Sequence, residues 1–370
     1  MKHFKLILLF TIFAFSSSCQ AQSGDQELKQ KIGQMLLVGF RGTELLPSNH
    51  IYSDIKERNI GGVILFDYDV PSKSRNRNIK SPTQTKKLIT DLQKLAEGQL
   101  LVSIDQEGGK VNRLKTTYGF PSTVSAKYQG QIDRVDTTTF YAAHTAKTLS
   151  NLGVNLNFVP CVDLDINPKC PVIGKIERSF SANPEKVVKH AAIWIDEHEK
   201  KNILSCPKHF PGHGSSTNDT HAGGADVTTT WSEKELIPYQ KLIEKGALKL
   251  VMTSHVFNAN LDAEFPATMS KAILTGILRE QLGFVGVIVS DDLAMGAIAD
   301  NYSLEIALEK AINAGVDILC LSNNGATYDA KIASKAIDII YKLVKDGKIP
   351  EQRIDESYQR ITALKNDLFN

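Results

Sequence analysis

Short apolar runs rich in valine, leucine and isoleucine recur along the chain, and longer segments with helical periodicity separate most of them. The runs, such as GGVILF and VGVIVSDD, lie at residues 34–40, 61–66, 100–105, 154–160, 203–210, 248–255, 285–292 and 316–323. The helical segments lie at 83–97, 183–201, 232–245, 303–315, 326–346 and 350–367. Continuous apolar strands that alternate with amphipathic helices are typical of parallel strands buried on both faces.

Eight strand–helix units of this kind predict an α/β fold, a single (β/α)8 TIM-type barrel with extra C-terminal helices. A doubly wound open sheet is the alternative, but no GxGxxG motif follows the first apolar run to support it. The sequence shows no low-complexity linker and no sign of a second domain. We therefore predict that residues 22–370 form one domain.

The first 22 residues, MKHFKLILLFTIFAFSSSCQAQ, have the pattern of a secretory signal. Lys2 and Lys5 precede an apolar run over residues 6–15, which is too short for a transmembrane helix, and small residues follow. Three serines precede Cys19, which resembles a bacterial lipoprotein site with Cys19 as the lipidated residue. Cleavage after Ala21 is the competing interpretation. Both predict export, either to the periplasm or to a membrane-anchored lipoprotein.

The charge balance argues against a nucleic-acid partner. The chain has 43 Lys and Arg against 41 Asp and Glu, and removal of Lys2 and Lys5 with the signal brings the two totals level. No basic patch and no block of like charge stands out. Cys161, Cys170, Cys206 and Cys320 lack the CxxC spacing of a zinc ribbon. Cys161 and Cys170 flank a short loop, so a disulfide and two buried free thiols both remain open.

Polar residues follow the apolar runs directly. Because the catalytic residues of such barrels lie at the C-terminal ends of the strands, these residues predict a functional rim: Asp105, Asp163, Lys208, His209, Ser254, His255, Asp291, Asp292, Ser322 and Asn323.

The segment KHFPGHGSSTNDTHAGG, residues 208–224, allows three interpretations. His209 and His213 have the i,i+4 spacing of helical zinc motifs, but Pro211 and the neighbouring glycines disfavour a helix. A phosphate-binding loop is disfavoured because no GK[ST] ending and no immediate helix follow. In the third interpretation Asp219 holds His221 by a hydrogen bond, which makes the imidazole a proton donor near neutral pH, with Asp291 across the pocket.

Several separated motifs resemble glycoside hydrolase family 3, and within it the single-domain bacterial β-N-acetylglucosaminidases. They are KHFPGHG followed by DTH, with IDQEGGKVNRL upstream, GVIVSDDLAMGAI downstream, and GGVILF, VNLNFVPCVDLD and IGKIERSF in the expected order. The resemblance implies that Asp291 is the nucleophile and His221 the general acid/base, with Asp219 as its partner. It implies a sugar-binding subsite formed by Asp105, Arg113, Arg178, Lys208 and His209. For Arg178, a structural ion pair with Glu177 or Asp165 is the alternative.

The resemblance implies an exo-acting retaining β-N-acetylglucosaminidase that needs no metal and no organic cofactor. Its expected partner is a glycan or muropeptide with a terminal N-acetylglucosamine. Three alternatives remain: a phosphorylase acting on the same linkage, a β-glucosidase, and a non-catalytic surface glycan-binding protein. Residues 67–80 form a loop that looks longer than its counterpart in the family, and we expect it to border the pocket.

Overall fold

The computed structural model describes residues 24–75, 77–220 and 223–369. Eight short parallel strands form its centre: β1 (Leu36–Gly39), β2 (Gly62–Leu65), β3 (Leu101–Ile104), β4 (Leu156–Asn157), β5 (Leu204–Ser205), β6 (Leu250–Met252), β7 (Val287–Val289) and β8 (Leu319–Leu321). Every residue of these strands is buried, as expected for strands covered on both faces. Each strand coincides with one of the predicted apolar runs.

The strands close into a barrel. A continuous ladder runs in the order β8, β1, β2, β3, β4 and β5, and β6 pairs with β7. Parallel bridges complete the ring, because Phe210 beyond β5 pairs with Thr253 beyond β6, and Val289 in β7 pairs with Ile318 before β8. The predicted (β/α)8 barrel is therefore confirmed, and the open sheet is excluded.

Helices follow the strands around the outside. They are α1 (24–34), α2 (His50–Lys56), α3 (Pro82–Leu95), α4 (Ala126–Ile132), α5 (Val135–Leu152), α6 (Pro184–Glu199), α7 (Ile237–Glu244), α8 (Ala272–Gln281), α9 (Gly296–Ala299), α10 (Leu304–Ala314), α11 (Ile332–Lys345) and α12 (Glu351–Phe369). Short 3₁₀ turns cover Thr116–Tyr118, Glu233–Leu236 and Ala267–Met269. Helix α8 has i→i+5 hydrogen bonding. Helix α12 and the α11 helix before it are the predicted C-terminal helices.

Local sequence explains where these helices begin and which face is buried. Helix α3 begins after Ser81, whose hydroxyl accepts the N–H of Gln84, and Pro82 occupies its first position. Its Leu88, Ile89 and Leu92 form an apolar stripe that is buried in the core. Asn183 and Pro184 begin α6 in the same way.

Three further two-residue or three-residue strand pairs lie outside the barrel. Tyr68–Asp69 pairs with Ser74–Arg75 within the predicted 67–80 loop, Gln106–Gly108 pairs with Val111–Asn112, and Ala225–Asp226 pairs with Val256–Phe257.

Two sequence expectations concern thiols and membranes. Cys161 and Cys170 are both buried free thiols, as are Cys206 and Cys320, so the disulfide alternative is not realised in this structure. Among the described residues, no helix is both long and apolar enough to cross a lipid bilayer. The predicted signal and Cys19 lie outside the described residues, and the single-domain assignment of residues 22–370 stays a prediction.

Candidate active site

A cavity of about 350 Å³ opens at the C-terminal ends of the strands, where the sequence predicts the functional rim. Its volume lies within the range of small-molecule pockets, roughly 300–1,000 Å³. Six of the predicted site residues line it: Asp105, Arg113, Arg178, Lys208, His209 and Asp291. Tyr68 and Val70 of the 67–80 loop line it as well, so this loop borders the pocket as expected.

The floor of the cavity is built on Lys208, which is 2% exposed. Its Nζ lies 2.7 Å from Asp105 Oδ1 and 2.7 Å from Glu107 Oε1. A second cation, Arg113, donates to Asp105 Oδ2 at 3.3 Å. Burial alone would raise the pKa of Asp105, but Lys208 and Arg113 outweigh it and hold that pKa well below its ordinary range. Both carboxylates are thus ionised acceptors. Within residues 24–75, 77–220 and 223–369, two of the three N–H groups of Lys208 have partners, which leaves one for a ligand.

Arg178 forms a bidentate ion pair with Glu107 rather than with Glu177 or Asp165, so the alternative partners predicted from the sequence are wrong. Its Nε and Nη2 donate to the two Glu107 oxygens at 2.9 and 2.8 Å. Nη1 donates to the carbonyl of Val172 at 2.9 Å, and Nη2 also contacts His209 Nε2 at 3.1 Å. Four of the five guanidinium N–H groups are therefore engaged within the described residues, and one remains for a ligand.

His209 is held from both sides. Its Nδ1 lies 2.6 Å from Asp163 Oδ2, and its Nε2 accepts from Arg178. Because Arg178 can only donate, Nδ1 carries the proton and donates it to Asp163. Both ring nitrogens have protein partners, which favours a role for His209 in positioning Arg178. Direct contact between His209 and a sugar stays a prediction.

Asp291 and Asp292 follow β7, and their environments differ. The backbone N–H of Asp291 donates to Thr253 Oγ1 at 3.2 Å, and its Oδ1 accepts the N–H of Asp292 at 2.8 Å. The carboxylate of Asp292 accepts the hydroxyl of Ser322, the N–H of Ser322 at 2.9 Å and the N–H of Ala294 at 3.1 Å. Burial raises the pKa of Asp292 above its ordinary value despite these donors. Asp292 thus connects β7 to β8, as a structural residue would.

The loop after β5 is docked onto the barrel up to the residue before His221. Thr220 is buried, its carbonyl accepts the N–H of Ala297 at 3.0 Å, and its hydroxyl contacts His213 Nε2 at 3.2 Å. Ala297 belongs to α9, the first helix after Asp291. Asp219 is half-buried. His221 lies outside the described residues, so its predicted acid/base role stays a prediction.

The sequence profile described as "Glycosyl hydrolase family 3 N terminal domain" matches residues 27–364 of the chain. The chain belongs to this family. Beta-hexosaminidase A of Pseudoalteromonas piscicida is 31% identical to it, over 96% of this chain and 64% of that protein. The Beta-hexosaminidase of Tolumonas auensis is 33% identical, over 79% of this chain and 83% of the relative.

Solved structures of the family have the same fold. The family 3 β-N-acetylglucosaminidase from a Paenibacillus species superposes with a TM-score of 0.82 at 32% identity, over 92% of this chain and 62% of that one. The β-N-acetylhexosaminidase from Beutenbergia cavernae superposes with a TM-score of 0.80 at 27% identity, over 92% and 98%. The chain thus spans less than two thirds of the Pseudoalteromonas and Paenibacillus proteins.

Glu107 is a site residue of this family 3 chain that the sequence interpretation missed. It is buried, it pairs with both Arg178 and Lys208, and these ion pairs lower its pKa to about 2 although burial alone would raise it. The signal was present in the motif IDQEGGKVNRL, where Glu107 stands two residues after Asp105.

One group of side chains has the donors that a metal ion requires. The ligand atoms of Cys161, Asp163 and His209 all lie within 4.8 Å of one another, and among residues 24–75, 77–220 and 223–369 no other such group occurs. Hydrogen bonds account for this proximity, because Asp163 accepts from His209 Nδ1 and from Cys161 Sγ, the latter at 3.2 Å. His213, the other residue of the zinc interpretation, contacts Thr220 instead.

Proposed function

We propose that this chain is an exo-acting retaining β-N-acetylglucosaminidase. Asp291 attacks the anomeric carbon of a terminal N-acetylglucosamine while His221, held by Asp219, donates a proton to the leaving oxygen. The glycosidic bond breaks and a covalent glycosyl–Asp291 ester forms. His221, now neutral, takes a proton from water, and the resulting attack on the anomeric carbon releases the sugar and regenerates Asp291.

The observation that carries this proposal is that Asp291 lines the same cavity as the ion-paired side chains of Asp105, Arg178 and Lys208. Asp105 offers carboxylate acceptors for sugar hydroxyls, and Lys208 and Arg178 each keep one N–H for a hydroxyl or an amide carbonyl oxygen. Acceptors and donors beside a carboxylate suit a sugar with an N-acetyl group. The relatives named as β-hexosaminidases and β-N-acetylglucosaminidases support the same activity.

A closed floor supports exo action. Lys208 lines the cavity and is 2% exposed, and Glu107 behind it is buried, so we infer that a terminal sugar ends against Lys208. A terminal sugar fits such a site, whereas the interior of a polymer needs an open groove. The natural substrate we propose is therefore a glycan or peptidoglycan fragment that ends in N-acetylglucosamine.

The test is hydrolysis of a chromogenic aryl N-acetyl-β-glucosaminide by the wild type and by Asp291→Ala. We expect turnover by the wild type, with the β-anomer as the first product seen by NMR, and none by the variant. A 5-fluoro glycosyl fluoride should label Asp291. Labelling of Asp292 would reject the assignment, and an inactive wild type would favour the non-catalytic glycan-binding alternative.

A second assay, with and without inorganic phosphate, distinguishes hydrolysis from phosphorolysis. A histidine acid/base, unlike a carboxylate, is neutral after it has donated its proton and does not repel an incoming phosphate anion. The assay is therefore run with and without inorganic phosphate, and the products are separated as free sugar and sugar 1-phosphate. We expect free sugar in both arms.

We further propose that the protein is exported and anchored to a membrane through a lipidated Cys19. The proposal rests on the signal-like N-terminus and on the serines before Cys19. Mass spectrometry of the mature N-terminus tests it, together with membrane fractionation of Cys19→Ala. A variant that stays in the membrane fraction as the wild type does would exclude the lipid anchor.

A further inference from the structure

Within residues 67–80, which the catalytic scheme does not use, residues 68–75 form a hairpin at the mouth of the cavity. Tyr68–Asp69 pairs antiparallel with Ser74–Arg75. Side chains alternate along an extended strand, so Tyr68 and Asp69 have opposite faces, and Val70 begins the turn that follows them. Asp69 is buried, whereas Tyr68 and Val70 are 38% and 47% exposed. Both exposed side chains nevertheless line the cavity.

The hairpin is fixed to the barrel through Asp69. Its carboxylate lies 2.8 Å from Nη2 of Arg41 and 2.7 Å from Nη1 of Arg77. Arg77 is itself buried and donates to the carbonyl groups of Phe40 and Asn323 at 3.0 and 2.8 Å. The hairpin is thereby tied to the ends of β1 and β8. An ion pair buried this deeply defines one geometry for the loop.

Asn324, just after β8, fixes the exposed face of the hairpin. Its Nδ2 donates to the carbonyl of Tyr68 at 3.1 Å, and its Oδ1 accepts the N–H of Val70 at 2.9 Å. The backbone of both residues is therefore held by a residue that also lines the cavity. Tyr68 and Val70 are therefore held in place beside the cavity. A ligand that binds them does not have to order a mobile loop first, which lowers the entropic cost of binding.

Polarity changes with depth in the cavity. The floor carries charged groups such as Lys208 and Asp105, whereas the mouth carries the exposed aromatic ring of Tyr68 and the exposed aliphatic side chain of Val70. In an exo-acting site the terminal sugar occupies the floor, so the next group of the substrate lies toward the mouth. The C–H face of a pyranose ring is apolar, and covering Tyr68 and Val70 with it removes their apolar surface from water.

We propose that Tyr68 and Val70 form the wall of an aglycone subsite that takes the pyranose ring of a second sugar; this rests on the glycosidase activity proposed above. The occupant is a pyranose because Tyr68 and Val70 offer an aromatic ring and an aliphatic side chain to its apolar C–H face, and the carboxylate of Asp67, which lines the cavity beside them, can accept from its hydroxyls. Tyr68 and Val70 thus select glycans over glycosides with small leaving groups.

The test compares Tyr68→Ala with Tyr68→Phe, which keeps the ring, and with Arg75→Ala, which lies opposite Tyr68 in the same hairpin but does not line the cavity. Two quantities are measured: kcat/KM for the β-1,4-linked disaccharide of N-acetylglucosamine, and the inhibition constant of free N-acetylglucosamine. We expect Tyr68→Ala to lower kcat/KM roughly 3- to 10-fold and to leave the inhibition constant within about 2-fold.

Tyr68→Phe and Arg75→Ala should behave like the wild type in both measurements. Unchanged disaccharide turnover by Tyr68→Ala would reject the subsite while leaving the glycosidase proposal intact. A parallel loss of monosaccharide inhibition would show that Tyr68 acts on the floor of the cavity instead, and would also overturn the subsite. A wild type that cleaves neither the disaccharide nor an aryl glycoside would reject the glycosidase proposal and the subsite together.

Discussion

Arg178 and Glu107 meet in a bidentate ion pair at the wall of the cavity, with N···O distances of 2.8 and 2.9 Å. Glu107 also lies 2.7 Å from Lys208, so one carboxylate fixes two of the cations that we expect to contact the sugar. All three groups are largely buried. Removal of Glu107 would leave the buried charge of Arg178 without its carboxylate partner and would leave Lys208 with Asp105 alone.

Glu107→Ala is therefore expected to lower the free energy of unfolding by about 3–5 kcal/mol, the usual effect of breaking a buried ion pair. Turnover of the folded fraction should fall as well, because Arg178 and Lys208 lose their support. Urea unfolding and steady-state kinetics measure the two effects. The control is Glu305→Ala, whose carboxylate pairs with Lys348 at 3.5 Å on the surface and should contribute at most about 1 kcal/mol. Equal effects of the two variants would contradict the role of Glu107.

The barrel and its functional rim could be predicted from the sequence, because both depend on local sequence patterns. Buried parallel strands are continuously apolar, and the polar residue that ends each run points to the C-terminal face. Glu107 was not identified because its importance arises from contacts with Arg178 and Lys208, which follow 71 and about 100 residues later. The anchoring of the 67–80 hairpin was not predictable for the same reason, since Asp69 depends on Arg41 and Asn324 lies 254 residues after Val70 in the sequence.

His221→Ala should lower kcat by about 10²–10⁴-fold on a natural disaccharide, the usual contribution of general acid–base catalysis. The loss should be smaller for aryl glycosides, because a good leaving group needs little protonation. Asp219→Ala should act in the same direction more weakly and shift a limb of the pH–rate profile. A series of aryl leaving groups measures this dependence. Equal losses across the series would count against His221 as the acid.

Glu235 makes folding stability depend on pH. It is 1% exposed, and its Oε2 accepts the N–H of Gly214 at 3.0 Å. Burial raises the pKa of Glu235 from 4.5 to about 7. In the unfolded chain this carboxyl loses its proton at lower pH than in the folded protein. Its contribution to stability is therefore fully present below pH 4.5 and is lost as the pH rises through about 7.

The wild type should accordingly lose roughly 3 kcal/mol more unfolding free energy than Glu235→Gln between pH 4.5 and pH 7.5. Glutamine keeps the size of the side chain and its acceptor for Gly214 but cannot ionise. Urea unfolding of both proteins at the two pH values measures the difference, and the contributions of other titrating groups cancel in the comparison. Parallel pH dependences would show that Glu235 does not titrate in this range.

The last prediction concerns the glycines around the loop that carries His221. Gly214 is required for packing, because a Cβ there would lie 1.7 Å from the carbonyl oxygen of Leu164. It is therefore unsuitable as a hinge. Gly223 has φ +139°, where a side chain would be strained. Gly224 has no positive φ, and no atom of the described residues lies within 4 Å of the point where its Cβ would be. Gly224 is thus the place where backbone freedom can be reduced without a clash.

We expect residues 215–220, the described part of this loop, to exchange between conformations without ligand and to close over a bound sugar, as loops that complete an active site do; His221 and Ala222 lie outside the described residues. Closure must preserve or re-form the contacts of Thr220 with His213 and Ala297. Gly224→Ala should then lower kcat while leaving the inhibition constant of N-acetylglucosamine unchanged, because the floor residues do not move. Gly276→Ala, in α8 and equally free of clashes, is the matched control and should leave kcat as it is.

Hydrogen exchange across the loop, with and without an N-acetylglucosamine-like inhibitor, measures the motion directly. Strong protection in both conditions would show a loop that is closed throughout, and the acid role of His221 would then have to be judged on its leaving-group dependence alone.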